Sequence, residues 1–204
     1  MSPEDSSAAE IFTAEICAAG ARNPWKTLSS RTAYENPWIT VREDQVIRPD
    51  GKPGIYGVVE TRIATGIVAL TPDREVYLVG QYRYAMKQYS WEIIEGGGEG
   101  NELPIDTIRR ELREEAGLGA QMICQLGSEL HLSNCHSSEI ALVYIGLGLT
   151  SGDSAPEGTE ELEIRKIPFQ RALDMIRLGA IKDVMSIIGL QRAEQFLRQR
   201  DGVR

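Results

Sequence analysis

From Trp25 to Glu60 apolar and polar residues alternate in short runs, KTLSSRTAYEN, then PWITVREDQVIRPD, then KPGIYGVVET, a period of two that predicts β-strands. Asp50-Gly51 between two such runs predicts a hairpin. Its apolar positions, Ile39, Val41, Val46, Ile55, Val58 and Val59, make one face that two strands cannot bury by themselves. Residues 23–61 are therefore expected to form an antiparallel β region that extends a larger sheet or meets a second copy of the chain, and a homodimer is expected because closed two-fold dimers are the commonest soluble assemblies. Residues 1–22, small and Ala-rich without a sustained period, predict a flexible tail.

Residues 62–204 are expected to form the main domain. TRIATGIVALT and REVYLVGQYRY read as strands separated by a turn at Thr71–Arg74. YSWEIIEGGGEGNE, with glycine at 96, 97, 98 and 100, predicts a compact loop that exposes its backbone. From Pro104 to Ala116 the apolar residues Ile105, Ile108 and Leu112 recur at three and four, with Pro104 suited to the first turn and Gly117 to the stop. Strands are predicted around 122–132 and 139–149 with SNCHSS between them, and another near 164–167. The acidic stretch TSGDSAPEGTEEL predicts a surface loop, and helices are expected over 170–177 and 181–199. Strands interrupted by one helix and closed by two more argue for a layered α/β domain.

A chain of 204 residues can bury about 70% of its extended surface without disulfides or structural metal. Its 22 basic and 30 acidic side chains leave a net charge of −8, which disfavours nucleic acid as a partner; an anionic ligand would need local arginines or bound cations. No apolar run approaches the ~20 residues of a membrane span, and the acidic start MSPEDSSAAE does not read as a secretory signal. A cytoplasmic protein is expected. Cys17, Cys124 and Cys135 show no CxxC spacing, and Cys135 with His136 reads as a loop pair rather than a zinc site.

The chemistry concentrates in Arg110-Glu111-Leu112-Arg113-Glu114-Glu115. On a helix Glu111 and Glu115 are one turn apart with Glu114 on the flank, so three carboxylates share one sector close to the helix C-terminus, where like-charge repulsion and the helix dipole both oppose them. Either arginines neutralise a solvated face, with Asp106, Arg110 and Glu114 as an i,i+4 chain, or a hard divalent cation such as Mg²⁺ or Mn²⁺ collects the oxygens. The upstream glycines favour the second, because they bring backbone close to a ligand and metal ions can bridge carboxylates to a diphosphate.

Gly96, Glu102, Arg110, Glu111, Leu112, Glu114, Glu115, Gly117 and Leu118 match the complete signature of the Nudix hydrolases. YENPWITVRED, QYRYAMKQYSWEIIEGG and EIRKIPFQRAL resemble the ADP-ribose pyrophosphatase branch, which carries the likeness over most of residues 25–190. The resemblance implies a Nudix-type α/β/α sandwich with a mixed sheet behind the N-terminal β region, and hydrolysis, dependent on Mg²⁺ or Mn²⁺, of a nucleoside diphosphate sugar. ADP-ribose is the leading substrate; GDP-mannose, NADH or a non-catalytic nucleotide-sugar sensor are the alternatives. It also implies metal ligation by Glu111, Glu114, Glu115 and the backbone carbonyl of Glu95, and a structural role for Gly96, Glu102, Arg110 and Gly117. Arg83 would clamp the diphosphate, Glu92 would lie near the terminal ribose, and Glu139 would face the metals; read from the residues alone, Arg83 is a solvated arginine at a sheet edge and Glu92 a carboxylate that only pairs with it. Glu160 or Glu161 would activate water. Trp38 and Trp91 are core candidates as large aromatics, and Trp38 would stack on adenine if the N-terminal hairpin reaches a site. Where the branch reads Trp-Glu-apolar-Pro-Ala-Gly, this chain has Trp91-Glu92-Ile93-Ile94-Glu95-Gly96, a lost proline and an added carboxylate.

Overall fold

The computed structural model describes residues 22–152 and 162–202. The chain divides into two compact units, one through Val59 and one from Glu60. The first is built on the antiparallel strands β1 (Lys26–Glu35) and β2 (Ile39–Ile47), with β3 (Pro53–Thr61) beside β2. The Asp50-Gly51 turn closes as predicted: Arg48 N–H donates to the Lys52 carbonyl at 2.9 Å, and Asp50 Oδ1 accepts the Lys52 N–H at 3.1 Å. Every residue of β1 is exposed, and Trp25 stands edge-on to Tyr56 with ring centroids 5.1 Å apart.

The second unit centres on a sheet in the order β7 (Ile94–Gly97), β4 (Ala64–Ala69), β10 (Ile140–Ser151), β8 (Leu118–Gln125), with β9 (Leu130–His131) also on β10. The pair β4 and β10 is parallel and the rest are antiparallel, so the sheet is mixed. A smaller sheet runs β11 (Glu163–Pro168), β5 (Glu75–Arg83), β6 (Gln88–Glu92). From Gly66 onward strand β4 reads as an apolar run buried on both faces, with Thr65 its one polar residue. Ile67 and Ala69 pack with Ile94, Tyr144 and the Ile108 and Leu112 of α1 (Pro104–Ala116). Val68 and Leu70 pack with Val143, Ile145 and residues of α2 (Phe169–Arg177) and α3 (Val184–Arg200). The result is the expected α/β/α sandwich.

Three sequence expectations change. The segment predicted as a loop carries β6 and β7, because Gly96 and Glu95 pair with Thr65 and Gly66 of β4 and so satisfy their backbone in a ladder. The strand expected over 122–132 starts earlier, at Leu118, and breaks after Gln125. The last helix begins at Val184 rather than 181, because Asp183 caps it by accepting the Ser186 N–H at 2.7 Å. The tail, and the loop with Glu160 and Glu161, lie outside the described residues. No helix among the described residues is long and apolar enough to cross a membrane.

Candidate active site

Helix α1 forms where its periodicity placed it. Pro104 opens it, and Gly117 ends it in the left-handed region at φ 62°, donating its N–H to the carbonyls of Arg113 and Leu112. Ile108 and Leu112 bury one stripe, and the neighbouring sector carries Glu111, Glu114 and Glu115, of which Glu115 is only 5% exposed. A carboxylate that deeply placed needs a counter-charge or several hydrogen bonds to stay ionised.

Arg110 organises this acidic sector. Its guanidinium meets Glu102 at 3.2 Å, Glu111 at 2.9 Å and Glu114 at 2.9 Å, and donates to the Gly97 carbonyl at 3.1 Å. Burial opposes the charge on Arg110, but the bonds it donates to Glu102 and Glu114 and the field of Glu111 outweigh it and hold the guanidinium above its ordinary value. Glu102 in turn accepts from Thr107 Oγ1 at 3.0 Å and from the Glu99 N–H at 3.2 Å, so it ties the glycine segment to the helix. The bond to Arg110 is the main reason its carboxyl lies below the usual glutamate range.

Strand β7 lies against the acidic sector. A methyl group built on Gly96 would overlap the carboxyl group and Cγ of Glu111, so only glycine lets this backbone approach that side chain. Thr65 Oγ1 donates to the Gly96 carbonyl at 3.1 Å. A hard divalent ion fits this donor set: the carboxylates of Glu111, Glu114 and Glu115 and the Glu95 carbonyl are all oxygen donors, and glycine at 96 lets the Glu111 carboxyl lie against the backbone there. Among the described residues no three His, Cys, Asp or Glu side chains already converge as a cage; Arg110 holds Glu111 and Glu114 instead.

On the other side of β7 a second polar group is assembled. Arg83, at the end of β5, donates through Nε to both carboxylate oxygens of Glu92 at 3.0 Å, and its Nη2 also meets Glu92. Glu92 is 2% exposed, whereas the Arg83 side chain keeps 41% of its surface. Burial opposes the Arg83 charge; Glu92 first, then Glu95 and Asp183, more than offset it. Burial, then the field and hydrogen bond of Asp183, push the Glu95 carboxyl well above its usual range, against a donated bond from Ser186 Oγ at 2.9 Å. Reading the sequence alone missed Asp183 and Ser186. The spacing Asp-x-x-Ser is a helix-start signal, obscured by placing the helix start two residues before Asp183.

Glu139 precedes β10, in the row of residues just beyond Ala141, Ala64 and Gly97, which lie abreast across the sheet. Its N–H donates to Ser137 Oγ at 3.0 Å. Trp91 is partly buried against the core, with the Arg165 guanidinium 4.7 Å from its ring centroid. Trp38 is not a core residue: it is 75% exposed at the turn between β1 and β2, where Asn36 Oδ1 accepts its backbone N–H at 2.8 Å.

The family model described as the NUDIX domain matches residues 60–184, and the nucleoside diphosphate sugar hydrolase N-terminal domain matches 25–59. This chain belongs to the Nudix hydrolases. An ADP-ribose pyrophosphatase of Mycobacterium tuberculosis is 31% identical over 173 residues, 83% of each chain. A methanol dehydrogenase activator of Bacillus methanolicus is 26% identical over 168 residues, 81% of this chain and 90% of that one. Among solved structures, one titled as the crystal structure of ADP compounds hydrolase superposes with a TM-score of 0.79 at 19% identity, covering 91% of this chain and 100% of that one, which shows a shared fold. The Nudix domain and the pyrophosphatase relative make the chain a Nudix pyrophosphatase.

Proposed function

We propose that this Nudix enzyme hydrolyses the pyrophosphate bond of a nucleoside diphosphate sugar, ADP-ribose first, with Mg²⁺ or Mn²⁺, as a cytoplasmic homodimer. Water adds to one phosphorus as the bridging oxygen leaves, so that ADP-ribose yields AMP and ribose 5-phosphate. The observation that carries the reading is the Gly96 backbone pressed on Glu111 in a helix that gathers three carboxylates, more negative charge than Arg110 offsets and a set that divalent ions would neutralise. The ADP-ribose pyrophosphatase relative, aligned over most of both chains, supports the choice of substrate class.

Glu111, Glu114, Glu115 and the Glu95 carbonyl would hold the ions. When bound, divalent ions offset the charge on the diphosphate and make water a better nucleophile. Arg83 clamps a phosphate through the exposed part of its guanidinium, and Glu92 fixes its plane from the buried side. Glu139 faces the metals, and Glu160 or Glu161 takes the proton from water. Trp38, exposed on the N-terminal unit, stacks on the base. With Leu28, Tyr34 and Ile55 exposed as well, that unit supplies the dimer surface.

Purified protein assayed against ADP-ribose, ADP-glucose, GDP-mannose, NADH and diadenosine polyphosphates tests this directly. The expected result is metal-dependent AMP release, fastest from ADP-ribose. Binding without turnover on every compound would sink the enzymatic reading, and a preference for GDP-mannose or NADH would reassign the substrate.

A further inference from the structure

Ser186 sits in the first turn of α3 and is 0% exposed. A serine inside a helix commonly returns its hydroxyl to a carbonyl of its own preceding turn. This one leaves the helix: its Oγ accepts the Ile93 N–H at 2.9 Å and donates to Glu95 Oε1 at 2.9 Å. Ile93 falls between β6 and β7 and belongs to neither strand, so Ser186 supplies the acceptor that no ladder provides. Asp183 sets the serine, accepting the Ser186 N–H at 2.7 Å. One hydroxyl thus grips residues 93 and 95. One residue on, Thr65 Oγ1 holds the Gly96 carbonyl, and the Glu111 carboxyl occupies the space where a Gly96 side chain would stand.

We infer that Ser186, set by the Asp183 cap, is a positioning residue that holds the Glu95-Gly96 backbone against Glu111, and so places the Glu95 carbonyl for a divalent ion. The inference rests on the function proposed above for its use of that carbonyl. Its geometric part concerns only how β7 is held. Partners one shell out from metal ligands commonly change metal affinity by about 10–100-fold when removed. The added carboxylate at Glu95 thereby acquires a role, since it is the second handle by which α3 grips the strand.

The test compares wild type with Ser186→Ala, Ser186→Thr and Glu95→Ala, reading Mn²⁺ binding by electron paramagnetic resonance of the free ion, together with kcat, KM and Tm. Ser186→Ala is expected to weaken Mn²⁺ binding by about tenfold and to lower kcat by at least as much, with KM for ADP-ribose changed less than about threefold. Ser186→Thr, which keeps the hydroxyl, is expected to restore both within about threefold. Glu95→Ala keeps the bond to Ile93 and is expected to weaken Mn²⁺ in the same direction. It carries the comparison if Ser186→Ala does not fold. In the double variant the two effects should not add, as for residues in one network. Lowered Tm with wild-type Mn²⁺ affinity and kcat in both single variants would overturn the inference and leave a purely structural contact. A wild-type protein that binds Mn²⁺ but turns over none of the nucleotides refutes the substrate reading alone, and the binding comparison still decides the positioning role. A wild-type protein that does not bind Mn²⁺ overturns both.

Discussion

Replacing Gly96 by alanine, beside the same change at Gly97, isolates the contact on which the site is built. Both residues lie in β7 with ordinary φ, so alanine suits the backbone at either position. A methyl at Gly97 meets nothing within 4 Å, whereas one at Gly96 falls on the Glu111 carboxyl group and its Cγ, an overlap too deep for a shift of a few tenths of an ångström to relieve. Gly97→Ala should therefore be level with wild type or about 0.5–1 kcal/mol more stable, since alanine loses less backbone entropy. Gly96→Ala must turn the flexible Glu111 side chain away, which costs little beyond its bond to Arg110, or displace β7, for which overpacking costs about 1–3 kcal/mol. Turning Glu111 away also removes an anchor for charge stabilisation, and losses of that class lower kcat about a hundredfold, or roughly 2.7 kcal/mol. Urea unfolding followed by tryptophan fluorescence gives the first quantity, and AMP release from ADP-ribose at saturating Mg²⁺ gives the second. If Gly96→Ala stays within threefold of Gly97→Ala in kcat and within about 0.5 kcal/mol in stability, the close approach of β7 to Glu111 is not what organises the site.

Glu115→Gln, and likewise Glu114→Gln, should lower kcat at least about a hundredfold at saturating Mg²⁺. For Glu115 stability should hold or rise, because a buried charge is removed; retention of more than about a tenth of kcat would remove that carboxylate from the ligand set. Glu102, bound by Arg110, sits below the ordinary glutamate value of 4.5, so its contribution to stability is complete above that pH and disappears as pH falls through its lowered value in the fold. Urea midpoints measured down through that range should fall less steeply for Glu102→Gln than for wild type, and parallel curves would refute the assignment. Light scattering at micromolar concentrations should give about twice the 22.6 kDa of one chain, and a monomer mass would rule out the stable dimer. Trp38→Ala should raise KM about tenfold without changing that mass, because base stacking is worth about 1–3 kcal/mol; an unchanged KM would leave Trp38 with no role in nucleotide binding.

Much of the site was legible from residue spacing, because α1 is a local structure. A period of 3.6, Pro104 at its start and Gly117 at its end are enough to place Glu111, Glu114 and Glu115 in one sector whatever packs around them. The same holds for the Asp50-Gly51 turn, whose bonds span only a few residues. Local pattern could not show that the glycine-rich segment is a strand. Glycines read as loop in isolation, and Gly96 and Gly97 become strand residues only because β4, some thirty residues earlier, offers them a ladder. The i,i+4 pair of Arg110 with Glu114 and the pairing of Glu92 with Arg83 were readings the residues allowed, but local pattern could not show that Arg110 also reaches Glu102 and Glu111, or that Trp38 is exposed. The grip of Ser186 on Ile93 and Glu95 joins residues more than ninety positions apart. Contacts at that separation are chosen by how the sheet and the terminal helix pack, and a buried hydroxyl takes whichever partners that packing brings within reach.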